Sequence, residues 1–166
     1  MSIPAGLNII GEFIVDQLVK TLDDQGHRAS GELQETMRHE VKRTGSGFDI
    51  IIYAKDYAKF VDKGIPSGVW VSVYALMEWI ETKGIVTGER EVKSLAFAIR
   101  RTIFNEGSPT KGSLKFSKTG KRDEFIKVML DANAKIIFEK VTQLFTNQIT
   151  LSLENTIREN KQIFES

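Results

Sequence analysis

The run Phe48-Asp49-Ile50-Ile51-Ile52-Tyr53-Ala54 constrains this chain more than any other stretch of it. Three consecutive isoleucines and a tyrosine give a density of β-branched and aromatic side chains that suits a pleated strand and crowds a helix. Thr44-Gly45-Ser46-Gly47, just before it, reads as a turn. Nearly every other periodic stretch is helical. The strand must therefore sit in a small sheet covered by helices. The predicted class is α+β, with amphipathic helices packed on a small, mainly antiparallel sheet and a long C-terminal helix.

Leu7, Ile10, Ile14, Leu18 and Leu22 share one helical face, and Gly26 stands where a C-terminal cap is expected. Ser30 has the character of an N-cap for a second helix reaching Lys42, with Leu33, Met37 and Val41 on one stripe. Asp56 to Asp62 reads as helical, and Gly64 to Gly68, with Pro66, as a loop. Val71 to Lys83 is predicted as a helix with Leu76, Trp79 and Ile80 inward, closed by Gly84. Val92 to Glu106 follows, with Leu95, Ile99 and Ile103 on one face and Gly107 as cap. From Asp123 the pattern is helical almost to the end, with Ile126, Leu130, Ile137, Val141 and Leu144 in one stripe. A blurred register near Phe145 to Ile149 leaves a kink or a second helix open, and a polar, frayed end is expected from Glu159 to Ser166.

A chain of 166 residues with 41% hydrophobic and 27% charged residues suits one domain with one core. The formal net charge of +1 gives no global pull toward nucleic acid or a membrane surface. Zero cysteines exclude disulfides, thiolate metal sites and cysteine nucleophiles, and fit a reducing compartment. No signal peptide and no spanning helix are expected.

Catalytic chemistry finds no support. His27 reads as a loop residue and His39 as lying on the polar face of the second helix, too few and too scattered for a metal site. Ser30 near His27 lacks the strand-to-helix elbow of a nucleophile. Glu78 and Glu81 read as solvated, and the pairs Gly45/Gly47 and Gly64/Gly68 as turn residues rather than phosphate cradles. No metal ligand, catalytic residue or cofactor is expected.

One constellation stands apart. Lys111, Lys115, Lys118, Lys121 and Arg122 lie between Gly107 and Arg122 without an acidic residue, among Ser, Thr and Gly. This is either a solvated loop or hairpin, with a short strand at Leu114 to Phe116, or a contact for phosphates or an acidic partner. The contact reading expects it to be poorly ordered until assembly.

The order of motifs resembles the tail-completion and head–tail connector (neck) proteins of tailed bacteriophages. Ala29-Ser30-Gly31-Glu32-Leu33-Gln34-Glu35-Thr36-Met37 is similar to that family's small–Gly–x–Leu–x–x–Ser/Thr helix start. The strand follows, then Tyr57-Ala58 and Phe60-Val61-Asp62-Lys63-Gly64, similar to an aromatic–Val–acid–x–Gly step. Trp79-Ile80-Glu81-Thr82-Lys83-Gly84, Ala96-Phe97-Ala98-Ile99 and Gly107-Ser108-Pro109-Thr110 extend the likeness to about residue 110. The lysine-rich segment and the length of the last helix depart from the pattern.

The resemblance implies one neck-like domain over residues 1–166. It implies a non-enzymatic virion protein, made in the host bacterial cytoplasm, that forms a sixfold or twelvefold homo-oligomeric ring. That ring would join portal or connector to tail proteins and line the DNA exit channel, with non-specific contact with genomic DNA and none with a membrane. Tyr57, Phe60, Val61, Gly64 and Trp79 are then expected in the core or in subunit interfaces. The alternatives are a cytoplasmic nucleic-acid-binding module using residues 107–122, and a hydrolase.

Overall fold

The apolar face read from Leu7 to Leu22 forms one long helix, α1 (Ile3–Asp24), in a computed structural model that describes residues 1–164. Short α2 (Glu32–Thr36) precedes an antiparallel hairpin, β1 (Arg38–Thr44) and β2 (Gly47–Tyr53). Then come α3 (Ala58–Lys63), α4 (Val73–Lys83), α5 (Glu89–Glu106), a 3₁₀ segment (Lys111–Phe116) and α6 (Phe125–Phe164). The fold is α+β, with a two-stranded antiparallel sheet and a long C-terminal helix.

The chain packs as two compact units. The first holds Met1–Gln17, Arg38–Tyr53 and α6 from Leu130 onward. Leu7, Ile10 and Leu144 are its buried centre, ringed by Ile3, Ile14, Val41, Phe48, Ile50, Ile137 and Val141. The hairpin alternates as a half-buried sheet should. His39↔Ile52, Val41↔Ile50 and Arg43↔Phe48 pair along the face that carries the packed Val41, Phe48 and Ile50. On the other face Tyr53 donates its hydroxyl to Glu40 at 2.9 Å and lies under Arg38 at 4.3 Å.

The second unit holds Leu18–Met37 and Ala54–Met129. Ile80, Val92 and Ala96 are buried between α4 and α5, with Val73, Leu76, Met77, Val86, Leu95 and Ile99 around them. Ser72 caps α4 by accepting from Ala75 N–H, and Gly84 ends it in the left-handed region. Leu18, Leu22, Leu33, Met37, Phe125 and Met129 are also buried here.

Several expectations are corrected. The second helix stops at Thr36, and Arg38–Thr44 is a strand. A strand as apolar as β2 needs a partner, and the two-residue Gly45-Ser46 link supplies the nearest one, closing Thr44 against Gly47. Val41 thus belongs to the sheet, and His39 is a half-buried strand residue 3.3 Å from the Asn8 side chain. Gly31 rather than Ser30 holds the N-cap position of α2, although Ser30 Oγ still accepts from Glu32 N–H at 3.3 Å.

Leu114–Phe116 lies in a 3₁₀ turn, not a strand or hairpin. In α6 the buried residues near the start are Phe125 and Met129, while Ile126 and Leu130 are exposed. The helix runs without a break through Phe145 to Ile149. Glu159 to Phe164 continue it, and the expected frayed end at residues 165–166 lies outside the described residues. Among the described residues no helix is long and apolar enough to cross a membrane.

Candidate functional site

The basic segment is fastened to the C-terminal end of α1. That helix ends with His27 N–H donating to Leu22 O, and Gly26 turns the chain at φ +73°. A Cβ on Gly26 would stand 2.5 Å from Phe116 O, so glycine lets the two backbones meet. Arg122 fills the junction. Its Nε donates to Gln25 O at 3.0 Å, and its two terminal nitrogens donate to Gly26 O at 2.9 Å and Ser113 O at 3.4 Å. His27 Nε2 lies 2.9 Å from Arg122 O, the geometry of a ring N–H donating to a carbonyl. Gln25, fully buried, donates to Asp123 O at 2.9 Å.

Electrostatics follow from this packing. Burial pushes the His27 imidazole below its usual range, and the Arg122 guanidinium adds to the push. Asp24 accepts from Lys20 at 3.0 Å and Lys118 at 3.2 Å, and these two bonds hold its carboxyl below the usual carboxylate range.

Of the five basic candidates, then, Arg122 clasps backbone carbonyls, Lys118 pairs with Asp24, and Lys121 lies 3.8 Å from Glu124. Lys115 sits over the Phe116 ring at 5.1 Å, and Lys111 is tied by its backbone N–H to Glu106. Several of the segment's polar groups are thus used within the subunit.

The second candidate group divides. Gly64 adopts φ +70° where Ile65 and Ser108 exchange backbone hydrogen bonds of 2.8 and 2.7 Å. Its Cβ would meet Ser108 O at 2.1 Å. Val61 is half-buried, but Tyr57, Phe60 and Trp79 are exposed, Phe60 by 55%. These three rings are not core, because α3 is a six-residue helix with no buried residue and Trp79 lies outside the Ile80 cluster. An interface role is the part of that expectation still available to them.

Two features escaped sequence reading. Trp70 in the loop before α4 stacks on Phe104 of α5, with ring centroids 4.0 Å apart. The other is an exposed apolar row on α6, made by Phe138, Phe145, Ile149, Leu153 and Ile157. Its spacing of seven, then four, four and four was visible in the sequence, but only the structure shows it uncovered. Every side chain from Ile149 to Lys161 is exposed.

Comparisons with protein-family models, with curated proteins and with solved structures find no match.

Proposed function

We propose that the chain is a structural ring subunit of a bacteriophage neck, joining head to tail around the DNA exit channel and working without catalysis. The observation that carries this reading is the uncovered apolar row on α6. Single exposed hydrophobics are ordinary, but five in register along one helix mark a surface built to be covered. Phe138 alone is 70% exposed. Copies of one chain that meet head to tail close into a ring when the rotation between them divides a full turn, sixfold or twelvefold here. The motif order from Ala29 to Thr110 supports the same reading, and exposed Tyr57, Phe60 and Trp79 offer further contact surface toward portal, connector or tail neighbours.

The nucleic-acid reading of residues 107–122 draws less support, because Lys118, Lys121 and Arg122 are engaged within the subunit. Native mass spectrometry of the purified chain tests the ring. The expected species is a closed oligomer of six or twelve copies, which the exposed substitutions Ile149→Lys, Leu153→Lys and Ile157→Lys convert to folded monomer. A chain that stays monomeric alone and with candidate head and tail proteins overturns the proposal.

A further inference from the structure

The hairpin is a sheet of two strands, so each strand has an outer edge. Thr44↔Gly47 closes a two-residue link and is therefore a hydrogen-bonded pair. Hydrogen-bonded and open pairs alternate from there along seven consecutive partners, with no bulge. Phe48, Ile50 and Ile52 thus turn their backbone N–H and C=O groups away from β1. His39, Val41 and Arg43 turn theirs away from β2. Among the described residues no backbone hydrogen bond ties either outer edge to another segment.

The two edges differ in chemistry. β1 carries Arg38, Lys42 and Arg43 against one carboxylate, Glu40. Two copies of β1 side by side would set cations against cations, which keeps such an edge from pairing with itself. β2 has no cation and no proline, and its one charge is Asp49. That carboxylate is exposed and, among the described residues, has no ion pair. Lys42 stands opposite it in the hairpin, but the Lys42 amine lies 3.5 Å from Glu40 and 3.3 Å from the Tyr53 hydroxyl. Two copies of β2 side by side would leave both Asp49 carboxylates without a cation. The complement of the β2 edge is the basic edge of β1.

We propose that the outer edge of β2 pairs with the outer edge of β1 of a second copy, so that the sheet runs on from one subunit to the next. Added antiparallel, the second copy's β1 can repeat the register of the hairpin. Phe48 then faces Arg43, Ile50 faces Val41 and Asp49 faces Lys42. An ammonium has three donors, so that Lys42 can answer both its own Glu40 and the Asp49 it meets. Backbone hydrogen bonds give strand addition its strength, and the alternate side chains fix its register. The contact joins two different patches, so every subunit offers one edge and accepts another, as a closed ring requires. This pairing rests on the ring reading and names a contact of that ring distinct from the α6 row.

Arg43→Pro tests it. Arg43 is exposed, and proline there removes an outward N–H while the hairpin's own bonds at Lys42 and Thr44 stay. Native mass spectrometry should find this variant monomeric, with the circular dichroism of the parent. Amide exchange is then read residue by residue in the variant and in the parent oligomer. Phe48, Ile50 and Ile52 should exchange at least about tenfold faster in the variant, and Asp49 and Ile51 at unchanged rates. Parent chain diluted to monomer gives the same comparison without any substitution. Arg43→Pro oligomers of the parent's size, or outward amides that exchange equally in oligomer and monomer, overturn the edge pairing and leave the ring reading standing. A parent chain that is monomeric at every concentration overturns both.

Discussion

Asp62 Oδ1 accepts the backbone N–H of Ile126 at 3.0 Å, so a side chain on α3 caps the first turn of α6, more than sixty residues later in the chain. The Asp62 carbonyl accepts from Glu124 N–H at 2.6 Å, beside it. A carboxylate at this end also answers the positive pole of a 40-residue helix. Asp62→Ala should cost about 0.5–2 kcal/mol by urea unfolding, and Asp62→Asn clearly less. Equal losses in the two variants would assign the effect to the charge alone, and no loss in either would show that the cap contributes nothing.

Gly64 and Gly68 allow a controlled comparison. Both have positive φ, +70° and +84°, but a Cβ meets Ser108 O at Gly64 and nothing within 4 Å at Gly68. Gly68→Ala should lose only the left-handed backbone preference, about 1 kcal/mol. Gly64→Ala must also part the Ile65–Ser108 bridge and should lose about 3 kcal/mol or more. Thermal unfolding of the two variants checks the order.

His27 makes stability depend on pH. Its folded pKa lies below the unfolded value near 6.5, so between the two the unfolded chain binds more protons and stability rises with pH. The contribution is complete above the unfolded pKa and declines as pH falls below it, until the folded pKa is passed. Protonation leaves the bond to Arg122 O intact but places a second cation beside a guanidinium. His27→Gln should flatten that part of the urea-midpoint profile on the acid side of neutrality. An unchanged slope would remove His27 from the account.

Arg122 differs from its lysine neighbours in what its loss should do. Arg122→Met strands the carbonyls of Gln25, Gly26 and Ser113 and should cost about 2–4 kcal/mol. Lys111→Gln and Lys115→Gln should each stay within about 0.5 kcal/mol of the parent by chemical denaturation. Equivalent responses from all three variants would restore the picture of a merely solvated basic loop.

Periodicity alone made α1, α4 and α5 legible, together with glycine ends at Gly26, Gly84 and Gly107, because these depend on nearby residues. The strand at β2 was legible for the same reason. Its partner was not: Arg38–Thr44 has one strongly apolar residue, Val41, which also extends the helical stripe of Leu33 and Met37. Only pairing across the Gly45-Ser46 turn decides between them. The Asp62 cap, the Arg122 clasp and the Trp70–Phe104 stack join residues about 30 to 100 positions apart, and no local pattern announces such a meeting. Phe60 and Trp79 misled because aromatic residues beside apolar neighbours look alike in a core and on an open face.

Helical order in α6 from Ile149 to Lys161 arrives from one side only. An isolated helix of that length is marginal in water, and Thr150, Ser152, Asn155, Thr156 and Asn160 are weak helix formers. This stretch winds because the packed residues up to Leu144 have already met the cost of nucleation. Amide exchange in the lone subunit should therefore quicken progressively beyond Gln148. A neighbour that covers Ile149, Leu153 and Ile157 would slow it again, making the end of α6 a gauge of whether the subunit has been taken up.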